Sequence, residues 1–359
     1  MASKIPYDTS LDALIHPEKN ALFFQGWTPA DNQNHDLLCA EMSRLAYAPR
    51  EVVRSSLERI GFTSVEHIGG EGAEERKNLR GTQGFLARHP SLGLTVLAFR
   101  GTESDKFEDL LSDGKTHQKE WPNSPGCLVH AGFADGWDPV SDRVTSLLAN
   151  REDVLLMTGH SLGAALATLA AIVVRPTKLI TFGSPRVGNE NLCALLAGVE
   201  VRRFVHCCDL IARIPPERFD QEHVSGLLTE LSDPDLRAFF KPSLLQQAVA
   251  AIPSALHAPH PNLHFKHAAL ALYADRNGKI QADITDEDRV LDQEAARRAY
   301  RQPDAQGGSR SPGERFKTLM SSLRSATGHL FGDADAPVAF RDLADHAPIN
   351  YVSLFTGRR

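Results

Sequence analysis

"VLLMTGHSLGAALATLAA", residues 154–171, runs from an apolar β-rich stretch into a long run of small and apolar residues. The seam is Gly159-His160-Ser161-Leu162-Gly163. The first part reads as a buried strand and the last part as a buried helix. The pentapeptide fits G-x-S-x-G, a sharp strand-to-helix turn that lifts a serine hydroxyl above the end of a sheet. Side chains in place of Gly159 or Gly163 would collide with the neighbouring strand and helix. The small residues Ala164, Ala165 and Ala167 let the helix lie close to the sheet. The helix N-terminus also brings N–H groups and a positive dipole end to the place where an oxyanion would form.

The flanking sequence repeats this alternation. Residues 92–101, 178–185 and 201–209 read as further strands, and residues 140–150 and 189–198 as helices between them. Residues 61–69 and 82–90 read as short strands, and residues 36–47 as an amphipathic helix. Strands alternating with helices at this spacing predict βαβ crossovers and a mainly parallel sheet. Residues 264–282 read as a hairpin turned at Asn277-Gly278. The expectation is one domain over residues 1–359. Its core is about 36–216, 264–283 and 341–359, with insertions at about 217–262 and 284–340. The first insertion carries the apolar stretch "LRAFFKPSLLQQAVAAI" (236–252), a candidate cap, and the second a basic amphipathic stretch at 315–331.

Composition sets the outer limits. The chain has 359 residues, 42% hydrophobic and 23% charged, with a net charge of −6. That is globular composition without the basic face of a nucleic-acid binder. No run of about 18 apolar residues predicts a membrane span. The N-terminus has no apolar stretch behind a basic start. The expected setting is cytoplasmic, or exported without a recognisable signal peptide. Five cysteines, two of them adjacent, read as reduced core thiols rather than a disulfide framework.

A serine at its ordinary pKa needs a histidine base and an orienting carboxylate to act as a nucleophile. In this kind of fold the chain order is serine, acid, histidine. Asp209, at the end of "VRRFVHCCD", stands where the acid belongs. Of 15 histidines, His130 and His160 come too early for the base, and His206 and His267 sit in strand-like stretches. His346, in "ADHAPINY", is a loop residue after the acid and is the preferred base. The cluster His257, His260, His264 and His267 has spacings that zinc accepts. It has no cysteine or carboxylate beside it, and no metal or organic cofactor is expected. Asp109 and Asp113 read as a solvated helix face.

Taken together, "LAFRGTES" (97–104), "VHAGF" (129–133), "TGHSLGAALATLAA" (158–171), "TFGSPRVGN" (181–189), "RFVHCCDLIARIPP" (203–216) and "DHAPINY" (345–351) resemble the class 3, fungal-type lipases of the α/β-hydrolase fold. The resemblance implies that Ser161 is the nucleophile, Asp209 the acid and His346 the base. It implies an oxyanion hole from the N–H groups of Thr102 and Leu162, with Gly159, His160 and Gly163 completing the nucleophile turn. The family's spacing of Asp-His and a tyrosine is met by Asp345, His346 and Tyr351, and His267 matches a structural position. Where the family carries its lid, this chain has only Phe107, Leu110, Leu111 and Trp121 as large apolar residues. The expected activity is carboxylic ester hydrolysis, lipase-like, on acylglycerols or other fatty-acyl esters, in transient contact with a lipid interface. No nucleic acid and no stable protein partner are expected. The alternatives are a phospholipase or acyltransferase on the same three residues, and a non-catalytic lipid-surface binding protein.

Overall fold

The computed structural model describes residues 5–15, 35–69, 83–101, 118–149, 151–218, 264–301 and 341–356. Its strands are β1 (Ser64–Ile68), β2 (Gly84–His89), β3 (Leu94–Phe99), β4 (Gln118–Glu120), β5 (Leu128–His130), β6 (Val154–His160), β7 (Lys178–Phe182), β8 (Glu200–His206), β9 (Ala271–Ala274) and β10 (Ile280–Gln281). Its helices are α1 (Leu11–Ile15), α2 (His35–Leu45), α3 (Arg50–Glu58), α4 (Ala131–Trp137), α5 (Ser141–Leu147), α6 (Leu162–Val174), α7 (Glu190–Ala194), α8 (Asp286–Arg301), α9 (Arg341–Ala344) and α10 (Pro348–Ser353).

All six residues of β3 are buried, as are six of the seven in β6. Strands buried on both faces must be covered by helices on both sides, which is the condition a parallel sheet meets. The sheet has eight strands in the order β1-β2-β3-β6-β7-β8-β9-β10. The five strands from β3 to β9 in this order run parallel. The two edges are antiparallel additions, β1-β2-β3 on one side and β9-β10 on the other. The α/β class and the mainly parallel sheet read from the sequence are therefore present.

Strand alternation divides the core into two layers. One layer takes Val96, Ala98, Leu156, Ile180, Phe182 and Phe204 and is covered by Leu38, Met42 and Leu45 of α2 and Val352 of α10. The other takes Leu97, Phe99, Leu155, Met157 and Leu179 and is covered by Phe133 and Trp137 of α4 and Leu166 and Leu169 of α6. Helix α6 has no charged residue and buries nine of its thirteen. It lies inside the protein, so hydrophobic residues all round it are tolerated.

Several elements depart from the sequence reading. The hairpin after the acid is shorter, with β9 starting only at Ala271. His267 therefore precedes the strand instead of lying in it. Helix α8 falls in the stretch read as an insertion, and its buried Gln293 and Ala296 pack on the turn after β8. The apolar stretch 236–252, the basic stretch 315–331 and the lid candidates Phe107, Leu110 and Leu111 lie outside the described residues. All five cysteines are free. No helix among the described residues is long and apolar enough to cross a membrane.

Candidate active site

Strand β6 ends at His160, and the chain turns through Ser161 into α6. Ser161 has φ 59° and ψ −129°, a backbone state that L-residues rarely adopt. Its neighbours explain how the turn is held. The Ser161 N–H donates to Phe182 O at 3.0 Å, tying the turn to the end of β7. A Cβ on Gly159 would lie 2.2 Å from Gly163 O, and one on Gly163 would lie 2.3 Å from Phe99 O. Both glycines are required by backbone approaching backbone, as the sequence reading supposed. Ser161 Oγ is buried and makes no hydrogen bond with any described residue. Leu162 is the first residue of α6, so its N–H is among those at the helix start with no intrahelical acceptor. Thr102, the other oxyanion-hole candidate, lies outside the described residues.

Asp209 follows β8 after a turn through Cys207 and Cys208. Its side chain is fully buried and makes several bonds. Oδ1 accepts the Ile211 N–H at 2.9 Å, Oδ2 accepts the Tyr351 hydroxyl at 2.5 Å, and His346 Nδ1 is 2.9 Å from both oxygens. Burial alone pushes this carboxyl up. The His346 imidazole and the hydrogen bonds from His346 and Tyr351 outweigh burial and hold it below its ordinary value. A carboxylate only accepts, so it assigns the proton of His346 to Nδ1 and leaves the basic lone pair on Nε2. His346 itself sits between α9 and α10, with Pro348 as the first residue of the second helix.

Gly183 marks where the two halves meet. It has φ 56°, and a Cβ there would lie 2.6 Å from Asp209 Oδ2 and 3.1 Å from the His346 ring. It follows Phe182, the acceptor of the Ser161 N–H. The ends of β6, β7 and β8 thus bring Ser161, Gly183 and Asp209 to one edge of the sheet, with His346 laid against them.

A second set of bonds fixes the histidine from behind. His160 Nε2 lies 2.8 Å from His346 O, and its ring lies 4.4 Å from the His346 ring, centroid to centroid. A carbonyl accepts, so the His160 proton is on Nε2 and Nδ1 accepts the Tyr47 hydroxyl at 3.0 Å. Burial, then the nearby His346, keeps His160 well below the ordinary histidine value, and it stays neutral. Asp345, next in the chain to His346, is also fully buried. It accepts from the Tyr7 hydroxyl at 2.5 Å and the Cys208 N–H at 2.7 Å, and pairs with His206 at 3.2 Å. The N-terminal segment is pinned to the same loop, because Asn350 exchanges hydrogen bonds with Asp8 at 2.8 and 2.7 Å.

The sequence reading missed Tyr47, Gly183, and the role of His206 and Asp345 as a buried pair. Gly183 carried a signal, a glycine closing the strand "TFG". Tyr47 carried none, because its partner His160 is 113 residues away. As for metals, Cys207, Cys208 and Asp345 bring ligand atoms within 4.8 Å of one another. The Asp345 oxygens are already engaged by Tyr7, Cys208, His206 and Arg341, so this set serves the fold. Of the histidine cluster, His257 and His260 lie outside the described residues.

A parallel sheet whose central strand turns through a strained serine into a buried helix is the α/β-hydrolase arrangement. Residues 96–219 match the family model described as Lipase (class 3). It is similar to the secreted mono- and diacylglycerol lipase 1 of Fusarium solani, 39% identical over 142 residues, covering 36% of this chain and 42% of that one. It is also similar to the secreted mono- and diacylglycerol lipase A of Penicillium cyclopium, 34% identical over 155 residues, covering 40% and 50%. Among solved structures, a mutant form of MDLA from Penicillium cyclopium aligns at 20% identity and a TM-score of 0.44, covering 73% of this chain and 86% of that one. The chain spans about half, or less, of the length of the curated relatives it matches.

Proposed function

We propose that the protein is a lipase-like serine hydrolase that cleaves acylglycerols or other fatty-acyl esters. The observation that carries this is the buried Asp209–His346 pair, 2.9 Å apart, at the sheet edge where Ser161 sits on its strained turn. The family match and the two mono- and diacylglycerol lipase relatives support the substrate class.

In this reading Ser161 Oγ attacks the ester carbonyl while His346 Nε2 takes its proton. Asp209 holds the ring in the right tautomer and steadies the imidazolium. The Leu162 N–H, with the N–H of Thr102, receives the tetrahedral oxyanion. Loss of one such donor costs about 3–4 kcal/mol of barrier in other hydrolases. The protonated histidine then delivers its proton to the leaving alcohol, and a water molecule repeats the sequence on the acyl-enzyme. Closing the Ser161–His346 hydrogen bond on substrate binding fits the general behaviour of such sites, whose catalytic bonds tighten only in the complex.

A fluorophosphonate probe tests the nucleophile. One equivalent of label is expected on Ser161 by peptide mass mapping, and none on Ser161→Ala. Label on another serine, or none on the folded wild type, contradicts the reading.

A further inference from the structure

Two hydrogen bonds, not one, join the turn that carries Asp209 to the turn that carries His346. The first is the Asp209–His346 pair at 2.9 Å. The second lies one residue back on each side, where the Cys208 N–H donates to Asp345 Oδ2 at 2.7 Å. A single bond leaves one turn free to swivel about the other. Two neighbouring bonds fix both the separation and the orientation of the two turns.

Asp345 does this only if its own carboxylate is held. It is fully buried. Burial pushes it up, but His206, Arg341 and the hydrogen bond from Tyr7 outweigh burial and keep it ionised. His206, at the end of β8, lies 3.2 Å from Oδ1, and Arg341 Nε, on α9, lies 3.4 Å from Oδ2. Tyr7 comes from 338 residues away in the chain, and its hydroxyl donates to Oδ1 at 2.5 Å. Its ring centre lies 5.4 Å from the Arg341 guanidinium and 5.7 Å from the centre of the His206 ring. Tyr7 thus bonds Asp345 and packs beside both side chains that pair with it.

The segment around Tyr7 is fastened on both sides. The Ile5 N–H donates to Thr356 Oγ1 at 3.0 Å, and Asp8 and Asn350 exchange two hydrogen bonds. Further on, Ala13 of α1 is buried in the core layer that α10 covers. Core packing does not call for the phenol, since Tyr7 is 36% exposed. Its hydroxyl turns inward to a buried carboxylate.

We propose that Tyr7 and Asp345 are positioning residues for ester hydrolysis, and that residues 5–10 are a strap holding the His346 turn against Asp209. This rests on Asp209 and His346 acting as acid and base. Tyr7 orients Asp345, Asp345 holds the Cys208 N–H, and the two turns together keep the His346 ring where Ser161 needs it. A displacement of about 1 Å, even one caused far from the chemistry, can cost about 100-fold in rate.

Two measurements on the full chain test this. One is steady-state kinetics on a soluble ester. The other is the downfield proton NMR signal of the His346–Asp209 hydrogen bond, assigned by its absence from His346→Gln. Tyr7→Phe is expected to lower kcat by about 10-fold, to leave KM nearly unchanged, and to move or broaden that signal. Thr356→Val removes the side-chain acceptor of the Ile5 N–H and leaves Asp345 alone, so it is expected to keep both kcat and the signal. An unchanged kcat or an unchanged signal in folded Tyr7→Phe overturns the proposal, as does an equal fall of kcat in Thr356→Val. If Tyr7→Phe does not fold, Asp345→Asn gives the same two readouts, and either one unchanged overturns it. Failure of the acid–base reading shows separately, as a wild type that cleaves no ester. The signal needs no turnover and still tests the strap in that case.

Discussion

The Tyr351 hydroxyl donates to Asp209 Oδ2 at 2.5 Å and accepts the His206 N–H at 3.1 Å. One side chain thereby joins the end of β8 to the carboxylate that hydrogen-bonds His346. A hydrogen bond to a buried charge is worth about 1.5–3 kcal/mol. Tyr351→Phe is therefore expected to lower kcat by roughly 10- to 100-fold, since about 1.4 kcal/mol is tenfold. KM is expected to change little. Steady-state kinetics on one soluble ester checks the split.

Asp209→Asn keeps the shape of the site but puts an amide that can donate where a carboxylate only accepts, so the proton of His346 is no longer held on Nδ1. The expected loss in kcat is about 10⁴-fold, the size found for the equivalent change in a serine protease. The folded fraction, read by circular dichroism, is expected to stay near that of the wild type.

Gly183→Ala meets two obstacles. The residue sits at φ 56°, and its new Cβ would press on Asp209 Oδ2 at 2.6 Å and on the His346 ring at 3.1 Å. Strain of this kind costs about 1–3 kcal/mol, and the overlap moves the acid and the base apart. Activity is expected to fall more steeply than stability, which paired measurements of kcat and Tm will show.

Stability is expected to decline on acidification in two stages. His160 is held below its ordinary value in the folded state. As pH falls through about 6.5 the unfolded chain takes up a proton that the folded chain refuses, and folding weakens. Asp209 and Asp345 are also held below their ordinary values. Their contribution is present above the ordinary carboxylate range and is lost as pH falls through their folded-state values. Denaturant unfolding from pH 8 to pH 2 checks both stages. His160→Gln is expected to flatten the first stage, and a curve unchanged by that substitution contradicts the assignment.

Much of this site was legible because its signals are local. Gly159, Ser161 and Gly163 announce their turn within five residues, and Asp209 announces itself as the polar residue closing an apolar strand. His346 was reachable only through the chain-order rule, since its partner Asp209 lies 137 residues earlier. The supports behind it were not legible. Tyr47, Tyr7 and His206 act through contacts between distant segments, which no spacing in one sequence records. Helix α8 was missed for another reason. Its buried face is narrow, with Gln293 and Ala296 the most buried positions, so it lacks the broad apolar stripe that marks a packed helix.

The most direct test is hydrolysis of p-nitrophenyl esters from butyrate to palmitate by the wild type, Ser161→Ala and His346→Ala. The account predicts turnover by the wild type and a loss of at least about 10⁴-fold in each variant, because the serine and histidine act as one unit. Turnover retained in either folded variant, or no turnover of any ester by the wild type, contradicts it.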